Sequence, residues 1–268
     1  MATQKSGLRM MSVLLAVVLV LAMAPSVNAA DHGLVRENGV DLYRDNSDNL
    51  HTIVVIKGIQ YVEFPMELIP LKDLQEADGG AGVSLPTAGR IGPMTAVSPV
   101  SYSQRYSVWS GTTLGSGPST IGTSGCYLTS AAMMVATYGS QLQGATATPL
   151  SLNTWMKNNG GFNGDLLIFG ALVNLPGGVV SSVSYFNDWY SAQLCMYNGL
   201  VPIIYVKTSS GNDHYCAFVQ TTGTKNPDTD WIINPWVQDQ SQMQGIRQTV
   251  TQANCTYQTS AVFRVGTR

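Results

Sequence analysis

Ser124-Gly-Cys-Tyr-Leu-Thr-Ser-Ala-Ala-Met-Met134 is the stretch on which the reading of this chain turns. Its Ala, Met and Leu content predicts a helix from about Cys126 to Tyr138, with Ser124 or Thr123 as cap candidates and Gly139 as the stop. A cysteine is thereby placed at the start of a helix, where partial positive charge and spare N–H groups favour a thiolate. A thiolate needs a base or imidazolium partner to work at neutral pH. From Ser101 onward the only histidine is His214, which opens a predicted strand with His214, Cys216 and Phe218 on one face. Asn234 ends a second apolar strand, Trp231-Ile-Ile-Asn, where its carbonyl oxygen can orient an imidazole.

Outward from that core, further helices are predicted near Ser151 after Pro149, over about Asp165 to Asn174 ending at Pro176, and over about Asp188 to Tyr197. Asn187 is the N-cap of the last and Gly199 its C′ residue. Strands follow at Val201–Lys207 and His214–Gln220 around the Ser209–Asp213 turn, then at Trp231–Asn234 and Ala261–Val265. Helices first and strands afterwards is the order of an α+β domain.

The 268 residues carry a net charge of −2, with 11% charged and 44% apolar side chains. Disorder is excluded by the apolar content, and nucleic-acid binding by the lack of a basic cluster. The charge is uneven: residues 101–268 contain no Glu. The shift coincides with a Gly/Pro/Ser-rich tract, which marks a domain boundary. Residues 1–29 have a positive start (Lys5, Arg9), an apolar run from Met10 to Ala24, and Val27-Asn-Ala29 at a cleavage site. That order is a secretory signal peptide, with an uncleaved anchor as the alternative. The chain is therefore expected outside the cytoplasm, secreted or extracellular, with no membrane contact after signal removal.

Residues 30–75 form a charged segment with strands at His51–Lys57 and Gln60–Phe64 around Gly58. It is either a pro-region, cut to leave a mature N-terminus near residues 80–100, or an extension packed on the main domain. Residues 76–100 have the composition of a flexible linker, and residues 101–268 are the main domain. No cluster has metal-ligand spacing and no Gly-rich phosphate loop follows a strand, so no cofactor or metal is expected.

Tyr102-Ser-Gln-Arg with Trp109, Leu114-Gly-Ser-Gly, Ile121-Gly, Ser124–Met134, His214-Tyr and Ile233-Asn-Pro235 run in one order. Together they resemble the C39-like peptidases of the papain-like cysteine peptidase superfamily, over about residues 101–240. The resemblance implies a papain-like fold, with N-terminal helices carrying the Cys packed on an antiparallel sheet carrying the His and Asn. It implies Cys126 as nucleophile, His214 as general base and acid, Asn234 as third member and Gln104 in the oxyanion hole. The implied function is exported peptide-bond hydrolysis through an acyl-enzyme, with a peptide or protein substrate. Tyr127 departs from the pattern, which favours a small residue there, and a bulky side chain at that point is expected to narrow the cleft or change specificity. Two other readings fit the same residues: a cell-wall peptide hydrolase or acyltransferase on this fold, and a non-catalytic surface binding domain. A disulfide at Cys126 would favour the last.

Cys216 reads as a buried hydrophobe, and Cys195 with Cys255 as the favoured disulfide pair in an exported protein. Asp213 reads as a turn residue whose side chain points away from the His214 face. Trp155, Tyr185, Trp189, Tyr190, Trp231 and Trp236 are read as core aromatics from which cleft-lining residues can come. Asn254-Cys-Thr fits the glycosylation triplet.

Overall fold

Five short strands, β1 (Gly33–Glu37), β2 (Val40–Arg44), β3 (Leu50–Ile56), β4 (Ile59–Phe64) and β5 (Glu67–Pro70), form an antiparallel meander at the start of the described chain. The computed structural model describes residues 33–45, 49–78, 98–186, 189–222, 226–236, 240–257 and 263–267. Two of the meander's turns are Asn38-Gly39 and Lys57-Gly58, with positive φ at both residues (51° and 81°, 51° and 79°). This is the backbone that matches strand twist in two-residue hairpins. Helix α1 (Leu71–Asp78) follows. The sequence predicts two strands here; the structure has five and a helix. GLVRE and VDLYR are short, charged and partly exposed, so they lack a clean apolar alternation. The expected linker start at 76 is also corrected, because α1 runs to Asp78. Its stretch 79–97 and the signal peptide lie outside the described residues.

The main part opens with the single turn α2 (Ile121–Ser124) and then α3 (Cys126–Thr137). The hairpin β6 (Gln141–Leu142) and β7 (Ala145–Thr146) leads to α4 (Pro149–Asn158). Helix α4 begins with a capping box in which Thr148 Oγ1 accepts from the Ser151 N–H at 3.2 Å and Ser151 Oγ from the Thr148 N–H at 2.9 Å. The helix expected over 165–174 is not formed. Gly164-Asp165 turns a hairpin between β8 (Phe162–Asn163) and β9 (Leu166–Leu167), and only Phe169–Asn174 winds, as a 3-10 helix. Short apolar runs do not distinguish helix from strand by period. Pairing decided this one: β5 lies parallel to β9, with Glu67 opposite Leu167. One seven-stranded sheet, in the order β1-β2-β3-β4-β5-β9-β8, thus joins the N-terminal segment to the main domain.

The rest is β10 (Ser182–Phe186), α5 (Trp189–Tyr197), β11 (Ile203–Thr208), β12 (Asp213–Gln220), β13 (Trp231–Asn234), β14 (Ile246–Thr249), β15 (Cys255–Tyr257) and β16 (Phe263–Thr267). These strands form an antiparallel sheet in the order β10-β16-β11-β12-β13-β14, with β15 also on β11. Asn187, the expected cap of α5, and residues 258–262, which include the start of the expected last strand, are outside the described residues. Gly199 has the positive φ of a C′ residue (76°). The fold is mixed α+β, with several sheets and few helices.

Every residue of α3 from Cys126 to Ala136 is buried, so the helix is apolar all round rather than on one stripe. One core cluster gathers α3, the inner residues of the N-terminal segment (Val62, Phe64, Ile69, Leu74) and Tyr215, Ala217 and Val219 of β12. The alternate residues Cys216 and Phe218 join a second cluster with Ala192, Cys195 and Met196 of α5. Strand β12 is therefore sandwiched between two cores, which fixes its register.

Gly245 lies where the chain leading to Gln104 meets β13. A Cβ there would stand 2.7 Å from Tyr102 O and 2.8 Å from Asn234 O, both backbone atoms. Gly245→Ala should destabilise the protein by about 1–3 kcal/mol, read as a lowered urea midpoint. An unchanged midpoint would show that the two segments can separate freely.

Candidate functional site

Thr120 starts the local structure that presents Cys126. It forms a capping box with Thr123, the Thr123 N–H donating to Thr120 Oγ1 at 3.3 Å and the Thr120 N–H to Thr123 Oγ1 at 3.0 Å. Gly125 then separates α2 from α3 and is itself the N-cap of α3, without a side-chain cap. The caps expected at Ser124 or Thr123 are thus corrected: Thr123 serves the preceding turn. Cys126 is the first residue of α3 and 2% exposed.

Strand β12 packs on α3, and Ser130 Oγ donates to Tyr215 O at 3.2 Å. Its first buried residue is His214, whose Nε2 lies 2.8 Å from Asn234 Oδ1. The Trp236 backbone N–H donates to the same Asn234 oxygen, also at 2.8 Å. The Trp236 N–H identifies that atom as the amide oxygen, which can only accept, so His214 Nε2 facing it is an N–H. In a neutral imidazole the proton-accepting lone pair is then on Nδ1. Burial holds the His214 pKa below its ordinary value, the Asn234 hydrogen bond opposing it, so the ring is neutral at pH 7. Burial also pushes the Cys126 thiol up to about 12, against the lowering effect of the backbone at Tyr215, Tyr127 and Cys126 itself. In this form both groups are neutral.

Gln104 is buried and tied to the Asn234 segment by its N–H, which donates to Pro235 O at 2.9 Å. Its Nε2 donates to Gly122 O at 3.2 Å, while its Oε1 has no partner. One amide hydrogen is left for another acceptor. All four residues expected from sequence, Gln104, Cys126, His214 and Asn234, line one cleft of about 580 Å³. Asn234 and His214 touch directly; the Cys126 thiol donates instead to Met66 Sδ, 3.5 Å away.

Met66 was not legible as a site residue. It sits in the Pro65-Met66 turn between β4 and β5 and lines the same cleft. The signal available was only a bulky apolar residue in a two-residue turn. Trp236, read as core, is instead 42% exposed on the cleft, with the Arg105 guanidinium 4.7 Å from its ring centre. Tyr185 is core, Trp189 packs on Phe218, and Trp155 lines a separate groove; the Tyr190 side chain is outside the described residues.

Two further expectations are corrected. Tyr127 does not narrow the cleft: its ring is buried between Phe169 and Tyr215, with centroids 5.7 and 4.5 Å away. The cysteines are all buried thiols, so the Cys195–Cys255 pair is not made and Cys126 is not locked in a disulfide. Asp213 is engaged by Lys207 and Tyr205 rather than by His214. Asn254 is exposed in a turn, with a φ of 52°. Among the described residues no group of three or more His, Cys, Asp or Glu could hold a metal ion.

Protein-family models, curated proteins and solved structures were each compared with the chain, and none matches.

The depressed His214 pKa has a definite consequence for stability. Below about pH 6.5 the unfolded chain binds a proton that the folded ring refuses until a lower pH. Stability should therefore fall as pH drops from about 6.5 towards the folded value and flatten below it. His214→Gln should shrink the difference in urea-unfolding free energy between neutral and mildly acidic buffer. An identical difference in wild type and variant would mean that His214 takes up its proton as easily folded as unfolded.

Proposed function

We propose that this chain is an exported cysteine hydrolase, a peptidase with the papain-like arrangement of the C39-like class, acting through Cys126, His214 and Asn234. The observation that carries the reading is the Asn234 oxygen. Held by the Trp236 N–H, it fixes the Nε2–H form of His214 and leaves Nδ1 to serve as base in a cleft that also contains Cys126 and Gln104. The helix from Cys126 packed against β12, the strand of His214, which pairs antiparallel with β13 of Asn234, supports the same reading.

In the proposed reaction His214 Nδ1 takes the thiol proton as sulfur attacks the substrate carbonyl carbon. The new oxyanion receives hydrogen bonds from the Gln104 amide and the Cys126 N–H, groups that gain strength in a dry site. Collapse expels the amine, which takes the proton from the imidazolium, and leaves a thioester on Cys126. Water, deprotonated by His214, hydrolyses that thioester and regenerates the thiol. Asn234 keeps the ring aligned through both halves without adding charge. The neutral resting pair suits a site that ionises only as substrate arrives.

Met66 covers the thiol in this structure, so the assay uses both the wild-type chain and Met66→Gly. Under reducing conditions the open variant should hydrolyse peptides and be labelled at Cys126 by a thiol-directed epoxide, and Cys126→Ala should abolish both. In the same background Gln104→Ala should lower kcat by about 10²–10³ with a smaller change in KM. Failure of both chains to cleave or to label ends the hydrolase reading.

A further inference from the structure

The turn that joins β4 to β5 is built from Pro65 and Met66, between the paired residues Phe64 and Glu67. Met66 has a φ of 64°, in the left-handed region where turns favour Gly or Asn. The other described non-glycine residues with positive φ, Asn38, Lys57, Gln143 and Asn254, are polar and exposed. Met66 is apolar, half-buried and packed against the main core. Local backbone chemistry thus argues against methionine at this position. What the side chain does instead is fill the space before the nucleophile candidate, with its sulfur 3.5 Å from Cys126 Sγ.

The turn is held firmly. Tyr215 Oη donates to Pro65 O at 2.7 Å and lies 3.3 Å from Glu67 Oε1. Glu67 and the following Leu68 and Ile69 are completely buried, and β5 is paired to β9 of the main domain. Tyr215 is the residue after His214, so the anchor of the turn and the base candidate share one strand.

We propose that the β4–β5 turn is an intrachain inhibitor of the Cys126 site, with Met66 as the plug that limits access to the thiol. This rests on the hydrolase reading of the site and adds its regulation. Removal of the side chain should open the site, with relief of the positive φ offsetting the packing that is lost. The hydrolase that results is active only when the β4–β5 turn is displaced or its plug is absent.

The test is the rate at which iodoacetamide alkylates Cys126 in the intact exported chain, mapped by mass spectrometry, with urea midpoints measured in parallel. Met66→Gly should raise the rate about tenfold or more, because access no longer waits on opening of the turn, and its midpoint should stay close to that of wild type, since relief of the positive φ offsets the lost packing. Met66→Leu, which keeps the bulk, should stay close to the wild-type rate. A wild-type rate in Met66→Gly, an equal acceleration in Met66→Leu, or an acceleration that merely follows a lowered midpoint overturns the proposal. Faster alkylation without any peptide cleavage leaves the occlusion standing and removes the hydrolase reading, so the two failures are distinguishable.

Discussion

The Oδ1 atom of Asn234 accepts hydrogen bonds from the His214 ring and the Trp236 backbone at once, and the geometry of the cleft depends on it. In a buried setting such a shared acceptor is strong, and leaving either donor without it is costly. It also fixes which nitrogen of His214 can receive a proton. The pairing of β12 with β13, Ala217 opposite Ile233 and Phe218 opposite Ile232, brings the two residues together. Burial of β12 on both faces keeps that register from slipping. Gln104 is attached to the same place through Pro235 O, so one short segment, Asn234 to Trp236, positions three parts of the cleft.

A second constraint is dryness. Burial raises the Cys126 thiol and lowers the His214 imidazole, and both shifts favour the uncharged pair. The helix that carries Cys126 is buried along its length, and the Met66 sulfur lies 3.5 Å from the thiol. Under the proposed function, opening the cleft admits both the substrate and the polarity that an ion pair needs. The low charge content of residues 101–268 fits the proposed reaction, whose groups stay neutral until substrate binds.

Much of the site was legible in the sequence because its pieces are locally encoded. The Ala/Met/Leu run fixes α3, the Ser209–Asp213 turn fixes the β11–β12 hairpin, and the apolar Trp231–Asn234 run fixes β13. What was not legible depends on long-range pairing. Leu166-Leu167 becomes a strand only because β5 arrives beside it, and β1 and β2 are too short and charged to declare themselves. Tyr127 enters the core because Phe169 and Tyr215 are waiting for it, a partnership that no spacing reveals. Met66 is the clearest case: residue type and turn disagree locally, and only the folded chain shows what lies beneath the side chain.

The most direct test of the central claim is to trap the acyl-enzyme. The Met66→Gly chain is reacted with an activated ester, quenched in acid, and mapped by mass spectrometry, beside the same chain carrying His214→Gln. The account requires a single acyl group on Cys126, formed rapidly with His214 present and lost or greatly slowed without it. Acylation elsewhere, or at Cys126 with equal rates in the two chains, would contradict the assignment of Cys126 and His214 as one catalytic unit.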